Sequence, residues 1–196
     1  MATLVGKPAP KFTSAAIVKG AIKPDVSLDD HKGKWVVLFF YPLDFTFVCP
    51  TEINGFADRI ADFQSRGAEV LGVSIDSQYS HLAWYNTPRN KGGIAGADYP
   101  ILADVTKSIS RDYGVLDEAK GIALRGVFLI NPDGVVQSET VNFFNVGRNV
   151  DEILRTLDAA QQAAKTGEVC PANWSKGKAT MKGTPSGSKD YFQKNA

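Results

Sequence analysis

The run "KWVVLFFYP", Lys34 to Pro42, most constrains what this chain can fold into. It is almost continuously apolar, rich in aromatic and β-branched residues, and closed by a proline, as expected of a strand buried on both faces. Such a strand needs covering layers above and below its sheet. "AEVLGVSID" reads as a second strand and "YPILAD" as a shorter one, while "LRGVFLINPDGVVQSETV" reads as two arms joined by a turn at Asn131 to Gly134. Helical patterns lie between them. Ile53, Phe56, Ala57, Ile60 and Phe63 recur at three-and-four spacing up to Gly67, and Pro50 suits a first helical turn. Ser80 to Asn86 and "TKSISRDYGV" are shorter candidates. Val150, Ile153, Leu154, Leu157 and Ala160 line one face of a long helix that stops near Gly167, with Asn149 and Glu152 as a capping pair. The lead-in, punctuated by Pro8, Pro10, Gly20 and Pro24, reads as a hairpin or irregular segment. The pattern predicts an α/β fold with a mixed sheet covered by helices on both sides.

With 196 residues, 43% of them hydrophobic, the chain can bury one core and carry a short extension. The predicted division is 1–167 and 168–196, because the segment from Cys170 onward loses apolar periodicity. A net charge of +1, from 22 basic and 21 acidic residues, gives no overall field that favours nucleic acid or an anionic membrane. The local excess, Lys176, Lys178, Lys182, Lys189 and Lys194 against Asp190, reads as a solvated tail. No apolar run approaches the ~18 residues of a membrane span, and the first residues carry no signal-like core. Two cysteines, Cys49 and Cys170, make no disulfide framework, so a reducing, cytoplasmic setting is the expectation.

The stretch "DFTFVCPTE" sets Cys49 between that first strand and the helix start. A thiol of ordinary pKa is only about 3% thiolate at pH 7, so a reactive one requires donors that favour the anion. Helix N-terminal N–H groups are one source. Thr46 lies in the same turn, and Pro42 and Pro50 stiffen it. Arg125 stands at the start of a strongly apolar strand, where an arginine needs a partner; Arg148 is a second cation, and Glu52 could orient either through bidentate hydrogen bonds. Taken singly, Cys49 reads equally well as an inert buried residue, Thr46 as a turn cap and Arg125 as a structural ion pair. Cys170, in "GEVCPANW", lies outside the core pattern and is either a partner for Cys49 or an incidental surface thiol. His31 and His81, the histidines present, could pair with Cys49 but have no motif, and with two distant cysteines they make no recognisable zinc pattern. "KGGIAG" lacks the spacing of a phosphate loop, and Cys49-Pro50-Thr51-Glu52 lacks the second thiol of a disulfide reductase.

With "FYPLDFTFVCPTE", "RGVFLI" and "GEVCPANW" in this order, the chain resembles the typical two-cysteine peroxiredoxins over essentially its whole length. The resemblance implies a thioredoxin-like fold with an N-terminal hairpin and a C-terminal extension, and reduction of hydrogen peroxide, alkyl hydroperoxides and peroxynitrite. Pro42, Thr46, Cys49 and Arg125 match the family's active-site quartet, and Glu52 and Arg148 its supporting network. Cys170 matches the resolving cysteine, which in that family comes from the other subunit of a homodimer; five dimers often form a decamer. A thioredoxin-like dithiol protein is the implied reductant, and no metal, haem or flavin is implied. The alternative carried by the same resemblance is a redox-switched holdase or peroxide-signalling partner, distinguished by suppression of client aggregation after Cys49→Ser.

Overoxidation-sensitive members of the family carry a Gly-Gly-Leu-Gly loop and a C-terminal Tyr-Phe pair. Here the loop reads Gly92-Gly93-Ile94-Ala95 and the pair is Tyr191-Phe192. An alanine at position 95 restricts the backbone if that site needs positive φ, so retained but altered sensitivity is expected.

Overall fold

Both faces of the Lys34 to Pro42 run are buried, and the strand it forms lies inside a seven-stranded mixed sheet. The computed structural model describes residues 3–195, with nine strands: β1 (Thr13–Val18), β2 (Ala21–Ser27), β3 (Trp35–Phe40), β4 (Ala68–Ser74), β5 (Ile101–Ala103), β6 (Leu116–Asp117), β7 (Ile122–Ala123), β8 (Arg125–Ile130) and β9 (Val136–Asn142). The main sheet runs β2-β1-β5-β4-β3-β8-β9, and β6 and β7 form a separate ribbon. β3, β4 and β5 are parallel; β8 is antiparallel to β3 in the register Phe39 opposite Val127. That antiparallel pairing brings the start of β8 to the carboxyl end of β3, where the loop to Cys49 begins.

The helices are α1 (Cys49–Asp58), α2 (Ile60–Ser65), α3 (Gln78–Tyr85), α4 (Ser108–Asp112), α5 (Val150–Thr166) and α6 (Gly187–Asn195). Alternation along β3 separates two apolar layers. Val36, Leu38 and Phe40 join Leu71, Tyr113 and Phe128 on one face. On the other, Phe39 stacks on Phe56 of α1 at 4.3 Å, and Tyr41 packs 6.1 Å from Trp84 of α3. With its sheet flanked by helices, a leading hairpin and a helical extension, the fold is thioredoxin-like.

The hairpin of β1 and β2 turns at Lys19 and Gly20, both with positive φ, as a tight primed turn requires. Asn131 closes the second hairpin by accepting hydrogen bonds from Asp133 and Val135 N–H. Two helix readings need correction. The helix expected to run from Cys49 or Pro50 to Gly67 is broken at Arg59 (φ −109°, ψ 12°), whose N–H bonds back to Phe56 and whose side chain pairs with Asp62 in the first turn of α2. The "TKSISRDYGV" helix shrinks to α4, because Lys107 adopts a left-handed conformation and the buried Asp104 carboxylate caps Ile109 and Ser110.

The described chain forms two compact units, Met1–Val150 and Asp151–Ala196. The expected boundary at 167 leaves the long helix with the first unit, whereas this division groups α5 with the tail. The reason is local: Arg155 Nη1 donates to the Trp174 carbonyl (2.8 Å), and the Cys170 thiol faces the Ala159 carbonyl (3.6 Å). α5 ends at Gly167, with φ +69°, and Ile153, Leu154 and Leu157 of the predicted face are buried.

Candidate active site

Cys49 is the first residue of α1, and its side chain is buried. Val48, in the N-cap position, provides no side-chain cap, so the first turn is held by Thr51 and Glu52 N–H bonding to the Val48 carbonyl. Pro50 in that turn removes one donor that a helix start would leave unpaired. The thiol therefore lies at the positive end of a ten-residue helix.

Arg125 starts β8 and is buried with its Nη1 3.4 Å from Cys49 Sγ. The same nitrogen donates to Glu52 Oε2 at 2.5 Å, and Arg125 Nε donates to the Phe144 carbonyl at 2.8 Å. Glu52 Oε1 accepts from the backbone N–H and Nε of Arg148, at 3.0 and 2.7 Å. Arg148 Nη1 reaches the carbonyls of Phe40 and Gly126, and its guanidinium lies 5.2 Å above the Phe39 ring. Burial pulls the Arg148 pKa down, and the Glu52 carboxylate opposes that pull. The structure thus brings Cys49, Arg125, Glu52 and Arg148 into one buried, hydrogen-bonded cluster.

Pro42 is buried at the end of β3, and the Thr46 hydroxyl is turned into its own loop, donating to the Leu43 carbonyl at 2.8 Å. This loop is anchored by residues the sequence reading passed over. Buried Asp44 accepts from the Tyr41 hydroxyl (2.8 Å) and lies 2.8 Å from His81 Nδ1, while its N–H donates to Asp76. His81 Nε2 faces the Leu102 carbonyl at 3.1 Å, so its Nε2 carries a proton. His81, weighed as a partner for the thiol, is instead fully buried in this loop anchor. A Tyr-x-x-Asp spacing at the end of a buried strand is the signal that could have pointed to it. The other histidine, His31, is half-buried beyond the opposite end of the sheet, just before β3.

In the Gly92 to Ala95 loop, positive φ occurs at Gly92 and at Gly96 but not at Ala95. The backbone restriction considered for alanine at 95 therefore does not arise. The tight site is Gly93, where an added Cβ would stand 1.9 Å from the Thr87 carbonyl oxygen. Gly93→Ala is expected to cost about 1–3 kcal/mol through overpacking against backbone, whereas Ala95→Gly costs at most about 1 kcal/mol through the unfolded chain. Urea denaturation of both variants checks the order.

In the second unit, Cys170 is half-buried, and burial pushes its thiol pKa up, with Arg155 opposing. The rings of Tyr191 and Phe192 meet edge-on at 5.9 Å in α6, and Phe192 is exposed.

Residues 5–139 match the AhpC/TSA family, and residues 159–194 match the C-terminal domain of 1-Cys peroxiredoxin. The chain is 57% identical to peroxiredoxin-2 of Bos taurus over 191 residues, covering 97% of this chain and 96% of that protein. It is 54% identical to the mitochondrial thioredoxin-dependent peroxide reductase of Homo sapiens over 193 residues, covering 98% of this chain and 75% of that one. Among solved structures, the reduced 2-Cys peroxiredoxin of Plasmodium vivax superposes with a TM-score of 0.94 at 47% identity, covering 98% of this chain and all of that one. A buried cysteine at a helix start, faced by an arginine that a carboxylate holds in place, thus stands in a sequence matched along nearly its whole length, and the chain belongs to the AhpC/TSA family as a thiol peroxidase of the typical two-cysteine peroxiredoxin type.

Proposed function

We propose that Cys49 is the peroxidatic cysteine and Cys170 the resolving one. The observation that carries the reading is the Arg125 guanidinium 3.4 Å from Cys49 Sγ, held there by Glu52 and the Phe144 carbonyl. The Cys49 thiolate attacks the terminal oxygen of a peroxide; the S–O bond forms as the O–O bond breaks, and the departing oxygen takes a proton and leaves as water or alcohol, or leaves as nitrite when the peroxide is peroxynitrite. Arg125 and the Cys49 N–H donate to the charge developing on the two oxygens, joined by the Thr46 hydroxyl once it turns its single proton from the Leu43 carbonyl to the peroxide. Pro42 closes the loop around them. The thiol of Cys170 of the partner subunit then attacks the Cys49 sulfenic acid, expelling water and forming an intersubunit disulfide, and a thioredoxin-like dithiol protein restores both thiols by exchange. Hydrogen peroxide, alkyl hydroperoxides and peroxynitrite are the substrates.

Self-association is supported by apolar side chains left uncovered in the first unit, Phe47 at 92% exposure, with Phe45, Phe143 and Val146. We assign these surfaces to a homodimer assembling into a decamer. The near full-length match to peroxiredoxin-2 supports the expected cytoplasmic placement. In the same reading 168–196 is the segment that delivers Cys170, and the Gly92 to Ala95 loop with Tyr191 and Phe192 tunes how readily a second peroxide converts the sulfenic acid to a sulfinic acid.

Stopped-flow reaction of the reduced protein with substoichiometric hydrogen peroxide, followed by non-reducing electrophoresis, tests this. Fast consumption that vanishes in Cys49→Ser and survives in Cys170→Ser is expected, with a covalent dimer that needs both cysteines. Consumption at the rate of an ordinary free thiol would make the cluster around Cys49 structural.

A further inference from the structure

Arg125 donates through Nε to the Phe144 carbonyl, a main-chain group of the loop that joins β9 to Arg148. The direction of its guanidinium therefore depends on where that loop stands. The loop is tied at both ends: Asn142 is opposite Arg125 in the β8–β9 register, and Arg148 N–H bonds to Glu52. Between the ends its own hydrogen bonds are long. Val146 N–H donates to the Phe143 carbonyl at 3.2 Å, and Asn142 Nδ2 reaches the carbonyls of Val146 and Gly147 at 3.3 and 3.4 Å. Phe143, Asn145, Val146 and Gly147 are exposed.

A second extension leaves the same end of the sheet. The β6–β7 ribbon ends one residue ahead of Arg125, where Leu124 N–H donates to the Val115 carbonyl (2.7 Å). Its turn is tight, with Gly121 N–H on the Asp117 carbonyl (2.7 Å) and Lys120 N–H on the Asp117 carboxylate (3.1 Å). From that turn Lys120 reaches the other extension. Its Nζ lies 4.3 Å from the centre of the Phe144 ring and 5.1 Å from that of Phe143, both within the range of a cation–π contact. The two rings meet at 4.8 Å, so one ammonium covers an aromatic pair. The carboxylate near that ammonium, Asp117 at 3.9 Å, belongs to the same turn, and the rings are what link Lys120 to the loop.

We propose that Lys120 is a positioning residue for peroxide reduction: it ties the β6–β7 ribbon to Phe143 and Phe144 and so holds the Phe144 carbonyl where it aims Arg125 at the peroxide oxygens. This rests on the peroxidase reading above. Lys120 acts through the loop, and the step it serves is the O–O cleavage at Cys49, in which Arg125 meets the developing charge.

The test uses the full-length reduced protein, hydrogen peroxide as probe and the stopped-flow rate of Cys49 oxidation as readout. Lys120→Met keeps an apolar stem and removes the charge at a half-exposed position, where the fold tolerates the change. It should lower the second-order rate constant by about two- to fivefold, the range that a partly exposed cation–π contact spans. Lys120→Arg, which keeps a cation over the rings, should stay within about 1.5-fold of the parent. Hydrogen peroxide is neutral, so lost steering of a charged substrate does not imitate this pattern. The decisive arm repeats Lys120→Met in the Arg125→Met background, where no guanidinium is left to aim and no further loss is expected. A Lys120→Met rate equal to the parent's, a Lys120→Arg rate as low as that of Lys120→Met, or the same loss in both backgrounds overturns the proposal. If the parent chain itself oxidises no faster than a free thiol, the peroxidase reading fails first and takes this one with it.

Discussion

Arg125→Met lowers the second-order rate constant for hydrogen peroxide by about 10²–10³-fold, the usual cost of removing one preorganised donor from developing charge. The guanidinium lies in a buried site, where its charge is little screened and acts strongly at short range. It is also aimed before substrate arrives, because Nε is committed to the Phe144 carbonyl and Nη1 is shared between Glu52 and Cys49. Arg125→Lys restores only part of the rate, since an ammonium is a point charge that cannot hold the same fork of bonds. Glu52 retains Arg148 in both variants, so the fold should survive. Stopped-flow rates beside circular dichroism separate this outcome from unfolding. Rates within about threefold of the parent would remove Arg125 from the chemistry that such donors perform.

Glu52→Gln should destabilise the protein by about 3–5 kcal/mol, the range for breaking a buried ion pair by removing one partner. Glu52 is shared by two guanidiniums, and all three side chains are buried, at 2–4% exposure. A glutamine keeps one acceptor oxygen and replaces the other with an NH2 group that faces donors. Two buried cations would then repel with no anion between them, and Arg148, already depressed by burial, would lose the group that opposes that effect. Urea unfolding of the reduced protein measures the loss. A change below about 1 kcal/mol would mean that water enters the cluster and solvates it, as at an exposed ion pair.

The elements with strong local signals were legible from residues alone. β3 was readable because uninterrupted apolar residues have no solvent face to offer. The end of α5 was readable because Gly167 adopts the left-handed conformation that commonly follows a helix. The break at Arg59 was not, since Ile60 and Phe63 continue the helical spacing of Ile53 and Phe56 while the backbone restarts between them. The cap of α4 was hidden for a different reason: Asp104 precedes the left-handed Lys107, outside the positions where a capping residue is normally sought.

The candidate site divides in the same way. Sequence order alone set Cys49 between an apolar strand and a helix start, and the oddity of Arg125 in an apolar strand marked it as needing a partner. Tertiary structure decided which partner. The antiparallel register of β3 and β8 brings Arg125 to the thiol, and Glu52 joins it to Arg148 across a separation of 96 residues. It also decided that His81 anchors a loop, that the strict glycine is Gly93 and not position 95, and that Tyr99 reaches α1. Local patterns report propensity and burial, which act over a few residues; contacts between distant side chains depend on strand register and loop path, which only the packed chain specifies.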